Sequence, residues 1–101
     1  MVEVIWSSLS KLTLFDETNF ILAKWNEQES DKFLVLVHDY LDTLSKTPTI
    51  GIFKSEFNCY SLVISKQTTL YYKIIEEKQQ IELILFWNNS QNPNLLFKLL
   101  K

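Results

Sequence analysis

The feature that most constrains this chain is the stretch from residue 60 to residue 93, YSLVISKQTTLYYKIIEEKQQIELILFWNNSQNP. Three runs rich in Tyr, Ile, Val, Leu and Phe predict strands over residues 60–65, 70–76 and 81–87, since such side chains suit a pleated, half-buried surface. Between them lie residues 66–69 and 77–80, polar and of hairpin length. Side chains alternate along a strand. Tyr60, Leu62 and Ile64 therefore share a face with Leu70, Tyr72 and Ile74, and with Ile81, Leu83, Leu85 and Trp87. The other face carries Ser61, Val63, Ser65, Tyr71, Lys73, Ile75, Glu82, Ile84 and Phe86, a mixed surface of the kind used for binding.

A chain of 101 residues is expected to form one domain, residues 1–101, large enough for a real core. With 47% hydrophobic and 22% charged residues it is not disordered. The single cysteine, Cys59, excludes an internal disulfide and reads as a small core residue. Nothing reads as a signal peptide or as the roughly 20 apolar residues of a membrane helix. A soluble cytoplasmic domain with no membrane partner is the expectation. The net charge is −2, and with ten lysines, one histidine and no arginine the chain has no global pull toward nucleic acid.

Ahead of the sheet, residues 2–6 alternate as a first strand, with Ser7 or Ser8 as helix cap. Leu14, Thr18, Ile21, Leu22 and Trp25 make the packing stripe of a first helix. Residues 26–29 read as a turn, with Ser30 capping a second helix over 31–45 whose stripe is Phe33, Val37, Tyr40, Leu41 and Leu44. Leu34, Val35 and Leu36 lie off that stripe, so either the first helix or a partner protein covers them. Pro48 ends the helical half, and Gly51, the only glycine, permits a left-handed or tight conformation. Pro93 opens a terminal helix over 94–101 with Leu95, Leu96, Leu99 and Leu100 on one side.

Conventional catalytic motifs are absent. His38 lies among Asp39 and Asp42 with no second histidine or cysteine, so it reads as a surface residue and no metal or other cofactor is expected. Asp16-Glu17 and Glu76-Glu77 read as solvated faces. What remains is a polar set at the hairpins: Lys66, Thr68, Thr69, Tyr71, Tyr72, Lys73, Asn88, Asn89, Ser90 and Gln91. Lysines and tyrosines there either contact phosphates and bases or are ordinary strand and edge residues.

Order and wording together resemble the RelE/ParE superfamily of bacterial type II toxins, with the plasmid-stabilisation, ParE-like members most similar. The residues that carry the resemblance are VIWS at 4–7, LSKTPTIG at 44–51, CYSLVIS at 59–65, LYYKIIEEKQQIELILFW at 70–87 and the NNSQNP loop. The resemblance implies a β-α-α-β-β-β-α fold of the α+β class, a helical hairpin packed on a mostly antiparallel four-stranded sheet. It implies a small cytoplasmic toxin neutralised by a cognate antitoxin, acting on DNA gyrase or on ribosome-bound mRNA, and compatible with a homodimer. RelE-type members cut mRNA in the ribosome without metal, using basic residues. Those positions fall here on Ser61, Val63, Thr69, Asn89 and Ser90, and the tyrosine of the terminal segment falls near Leu96.

The resulting expectation is a ParE-like toxin that is not a nuclease. A RelE-like endoribonuclease would draw on Lys66, Lys73 and Tyr72. A chain that only binds its antitoxin is the third reading. The expected antitoxin or target surface comprises Tyr71, Ile75, Ile84 and Phe86 on the sheet, Leu34 and Val35 on the second helix, and Asn89 and Gln91 in the loop.

Overall fold

The structure, a computed structural model, describes residues 2–101. Strand β1 (Glu3–Trp6) leads into helices α1 (Ser8–Lys24) and α2 (Glu27–Lys46). A 3₁₀ turn (Pro48–Ile50) then precedes β2 (Ile52–Lys54), β3 (Cys59–Val63), β4 (Thr68–Ile75), β5 (Gln80–Asn88) and α3 (Pro93–Leu100). The sheet has five strands in the order β1-β5-β4-β3-β2, antiparallel except for the parallel β1–β5 pair. The expected four strands thus gain β2. Its three residues are too few to show periodicity, and pairing with β3 makes them a strand.

Helices α1 and α2 cover one face, where Ile21, Phe33, Val37 and Leu44 meet Leu62, Ile64, Leu70, Tyr72, Ile81 and Leu83. The short α3 covers part of the other, where Leu96 closes over Cys59, Tyr71, Leu85 and Trp87. Cys59 is thus buried, as its sequence context implied. Helix starts are set by side-chain caps. Ser7 accepts from the Ser10 amide at 3.0 Å, Asn26 from Glu29 at 2.9 Å and Asn92 from Asn94 at 3.0 Å. Asn26, not Ser30, caps α2. Ser30 is buried against α1, its hydroxyl 3.5 Å from the Thr18 carbonyl oxygen.

The expected face assignment fails midway along β5. Tyr71 pairs with Leu85 but Tyr72 pairs with Leu83, so Ile84 is an extra residue, a β-bulge. Beyond it every side chain changes face. Leu85 and Trp87 turn toward α3, and Phe86 turns into the main core, where it stacks on Trp6 with ring centroids 5.8 Å apart. The bulge falls where β1 ends and α1 takes over the β5 edge. Ser7 Oγ donates to the Ile84 carbonyl at 2.9 Å, and the Phe86 amide donates to Thr13 Oγ1 at 2.9 Å. Side-chain hydroxyls thereby satisfy backbone groups that have no strand partner.

That role explains why α1 departs from its predicted stripe. Its inward residues are Ser10, Thr13, Leu14, Glu17 and Ile21, whereas Leu22 and Trp25 are exposed, as are Leu12 and Phe15. A helix laid along a strand edge needs hydrogen-bonding groups there, and these do not register as an apolar stripe. Gly51 also has another reason than the one expected. Its φ of −77° is open to any residue. A side-chain carbon there would sit 2.6 Å from the Ser61 carbonyl oxygen and 2.7 Å from the Tyr72 hydroxyl.

Candidate functional site

Cross-strand pairing places Ser61, Val63, Thr69, Tyr71, Lys73, Ile75 and Glu82 on the α3 face of the sheet. Among the expected site residues, Lys73 is exposed on that face, opposite Glu82 on β5. Ile75 and Ile84 are half-buried there, Ile84 packing against the α3 cluster. Tyr71 lies beneath α3, edge-on to Phe57 at 6.2 Å between ring centroids, and burial pushes its hydroxyl pKa up.

Phe86, only 2% exposed, lies on the opposite face through the bulge and is not part of this surface. Tyr72 is fully buried. Its hydroxyl donates to the Pro48 carbonyl at 2.7 Å and accepts from the Gly51 amide at 3.1 Å, and burial raises its pKa. It ties the end of the helical hairpin to the sheet and has no access to a substrate. Leu34 and Val35 are exposed on the back of α2, which α1 leaves uncovered.

Lys66 lies in the β3–β4 hairpin beyond Thr68, and Thr68 is itself about 17 Å along β4 from Lys73, five steps of ~3.4 Å each. The two lysines do not share a site. Asn89 is pinned to that hairpin. Its Oδ1 accepts from Thr69 Oγ1 at 2.9 Å and its Nδ2 donates to the Lys66 carbonyl at 3.2 Å. Gln91 is exposed, and its amide closes a turn onto the Asn88 carbonyl.

The chemistry that the sequence reading missed is Glu17. Its place on α1 brings the carboxylate, 3% exposed, over the adjoining ends of β4 and β5. Thr68 Oγ1 donates to Oε1 at 2.8 Å and Asn88 Nδ2 donates to Oε2 at 3.0 Å. Thr68 and Asn88 are cross-strand partners, so the pairing of β4 with β5 builds this receptor. Among the described residues no lysine forms an ion pair with it. Burial raises its pKa above the ordinary value, the hydrogen bonds of Thr68 and Asn88 partly offset this, and the charge of Asp16 raises it further. The Gln67 amide is near enough to lower that pKa, but its buried Nε2 finds no partner in hydrogen-bond geometry among the described residues. The only sequence signal was an acid one helical turn from Thr13 and Ile21, on a face read as solvated.

Beside this cluster a cleft of about 600 Å³ opens between the α1–α2 turn and the β3–β4 hairpin. Ile21, Phe33 and Leu36 form apolar walls, Trp25 stands at the side, and Lys24, Lys32 and Lys66 surround it. No group of three or more His, Cys, Asp or Glu able to hold a metal occurs among the described residues. His38 is exposed, 3.9 Å from Asp39.

The architecture is a RelE/ParE-like toxin fold. Three solved structures share it: the intact E. coli RelBE toxin–antitoxin complex, a YoeB/ParE toxin from Agrobacterium tumefaciens and a metal-bound toxin from Helicobacter pylori. The E. coli chain is 15% identical with a TM-score of 0.59, over 90% of this chain and 100% of that one. The Agrobacterium chain is 16% identical at 0.61, over 87% and 99%. The Helicobacter chain is 12% identical at 0.61, over 89% and 97%. At such identities the likeness shows the fold. No sequence-family model matches the chain, and neither does any curated protein.

Proposed function

We propose that this protein is the toxin component of a type II toxin–antitoxin system, ParE-like in acting without RNA cleavage and neutralised by a cognate antitoxin. The observation that carries the reading is the shared fold over nearly the whole chain, combined with the α3 face. Where the nuclease members of the resembled family carry cations, that face presents Ser61, Val63 and Thr69, and the loop beyond it Asn89 and Ser90. A phosphoryl transition state needs preorganised positive charge. Growth under tightly induced expression, with and without the adjacent small gene, tests the proposal. Arrest relieved by the neighbour supports it, and gyrase and translation assays then identify the target. No arrest with soluble protein present would overturn it in favour of a chain that only binds its antitoxin.

Exposed Lys73 favours one alternative, a RelE-like ribosome-dependent endoribonuclease. On that reading Lys73→Ala abolishes codon-positioned cuts in ribosome-bound message, and the absence of cuts by the unaltered protein removes it. For the antitoxin surface, Ile84→Glu is expected to weaken the complex more than Glu82→Lys, as read by pull-down. Leu34 and Val35 offer the other exposed apolar surface of the proposed interface.

A further inference from the structure

We infer that the cleft between the α1–α2 turn and the β3–β4 hairpin is a docking groove for a short acidic peptide segment bearing a large apolar side chain. The inference rests on the toxin reading only in supposing a protein partner. Its first support is charge. Three of the ten lysines, Lys24, Lys32 and Lys66, line this cleft, against the single acid Glu29, in a chain of net charge −2. Glu29 lies 3.4 Å from Lys32, leaving Lys24 and Lys66 for an incoming carboxylate. The second support is shape: Ile21 and Phe33 at its base and Leu36 at its rim give an aliphatic and aromatic seat of the size that small ligands and side chains fill.

Gln67, Lys24 and Lys66 also line an adjoining hollow of about 300 Å³ whose other walls include Asn88, Asn89 and Ser90.

Nucleic acid fits less well. The exposed Trp25 ring already has the Lys24 ammonium 4.8 Å from its centroid, which removes one stacking face. The other apolar walls are Ile21, Phe33 and Leu36, and the adjoining hollow adds no cation to Lys24 and Lys66. The groove lies on the helical side of the sheet, away from Lys73 and α3. A segment seated in it leaves the α3 face open, so anchoring a partner and covering that face are separable events.

The test uses the full chain and fluorescence anisotropy with labelled synthetic peptides in which Leu, Phe or Trp is flanked by Asp and Glu. Matched Asn/Gln peptides and a labelled ten-nucleotide oligouridine serve as comparisons. Saturable binding of an acidic peptide is expected, weakened roughly tenfold by Lys24→Glu with Lys66→Glu, unaffected by Lys73→Glu, and reduced by salt. Amide shifts at the Gln67 side chain and the Trp25 indole should map the site by NMR. All three lysines are exposed, so the charge reversals are expected to fold, and circular dichroism checks this. Equal binding of the neutral peptides, binding of the oligouridine alone, or no binding at millimolar peptide would overturn the inference. Growth arrest without peptide binding leaves the toxin reading standing and removes the groove. Peptide binding without arrest does the reverse.

Discussion

Glu17 shows how much one residue depends on what folds over it. In sequence it is half of an acidic pair on a helix; in the structure it is a buried carboxylate held by Thr68 and Asn88. Its raised pKa means that the folded chain binds this proton more tightly than the unfolded chain. The associated stability is fully present below the ordinary value of 4.5 and is lost as the pH rises through the raised folded value. Glu17→Gln keeps the shape, with its amide able to donate to Thr68 Oγ1. Thermal melts across this window are expected to show the parent losing stability by up to about 1.4 kcal/mol per pH unit relative to the variant. Parallel profiles would refute this. Gly51 and Tyr72 make the second residue-scale case. Gly51→Ala pushes a methyl against the Ser61 carbonyl and is expected to destabilise by about 1–3 kcal/mol. Tyr72→Phe orphans the Pro48 carbonyl and Gly51 amide at about 1–2 kcal/mol. Urea titration measures both.

Among the elements, β5 departs most from its sequence reading. Ile81 and Leu83 alternate as written, but from Ile84 to Trp87 four apolar residues run without a break, and such a run carries no face information. The bulge at Ile84 decides the matter, and Ser7 stabilises it by donating to the bulged carbonyl. The connection from β4 to β5 holds a strained point. Gln79 adopts a left-handed conformation with φ 51°, ψ 49°, which side chains with a Cβ resist. Gln79→Gly is expected to stabilise by about 0.5–1 kcal/mol in denaturant melts, and no gain would mean that the entropy of glycine offsets the relieved strain. Helix α2 was legible because Phe33, Val37 and Leu44 recur at helical spacing on one buried stripe. Its back, with Val35 62% exposed, was legible as unusual but not as uncovered.

At the scale of the whole molecule the sheet has unequal covers, a long helical hairpin on one face and eight residues of α3 on the other. Leu96 alone of that helix is buried, yet it closes over Cys59. Burial raises the Cys59 thiol pKa, while the charge of Lys73 works against this. Leu96→Asp is therefore expected to speed the reaction of Cys59 with a thiol reagent, whereas the parent reacts slowly at neutral pH. Equal rates would show that α3 does not guard the thiol. Local pattern by itself determined β1, β3, β4 and β5, the long helices and the order of these elements, because alternation and helical spacing are properties of neighbouring residues. Tertiary structure decided the short β2, the side of Phe86, the burial of Glu17 and the meeting of Lys24, Lys32 and Lys66. Each of these depends on register between segments far apart in the chain, and no local period encodes that.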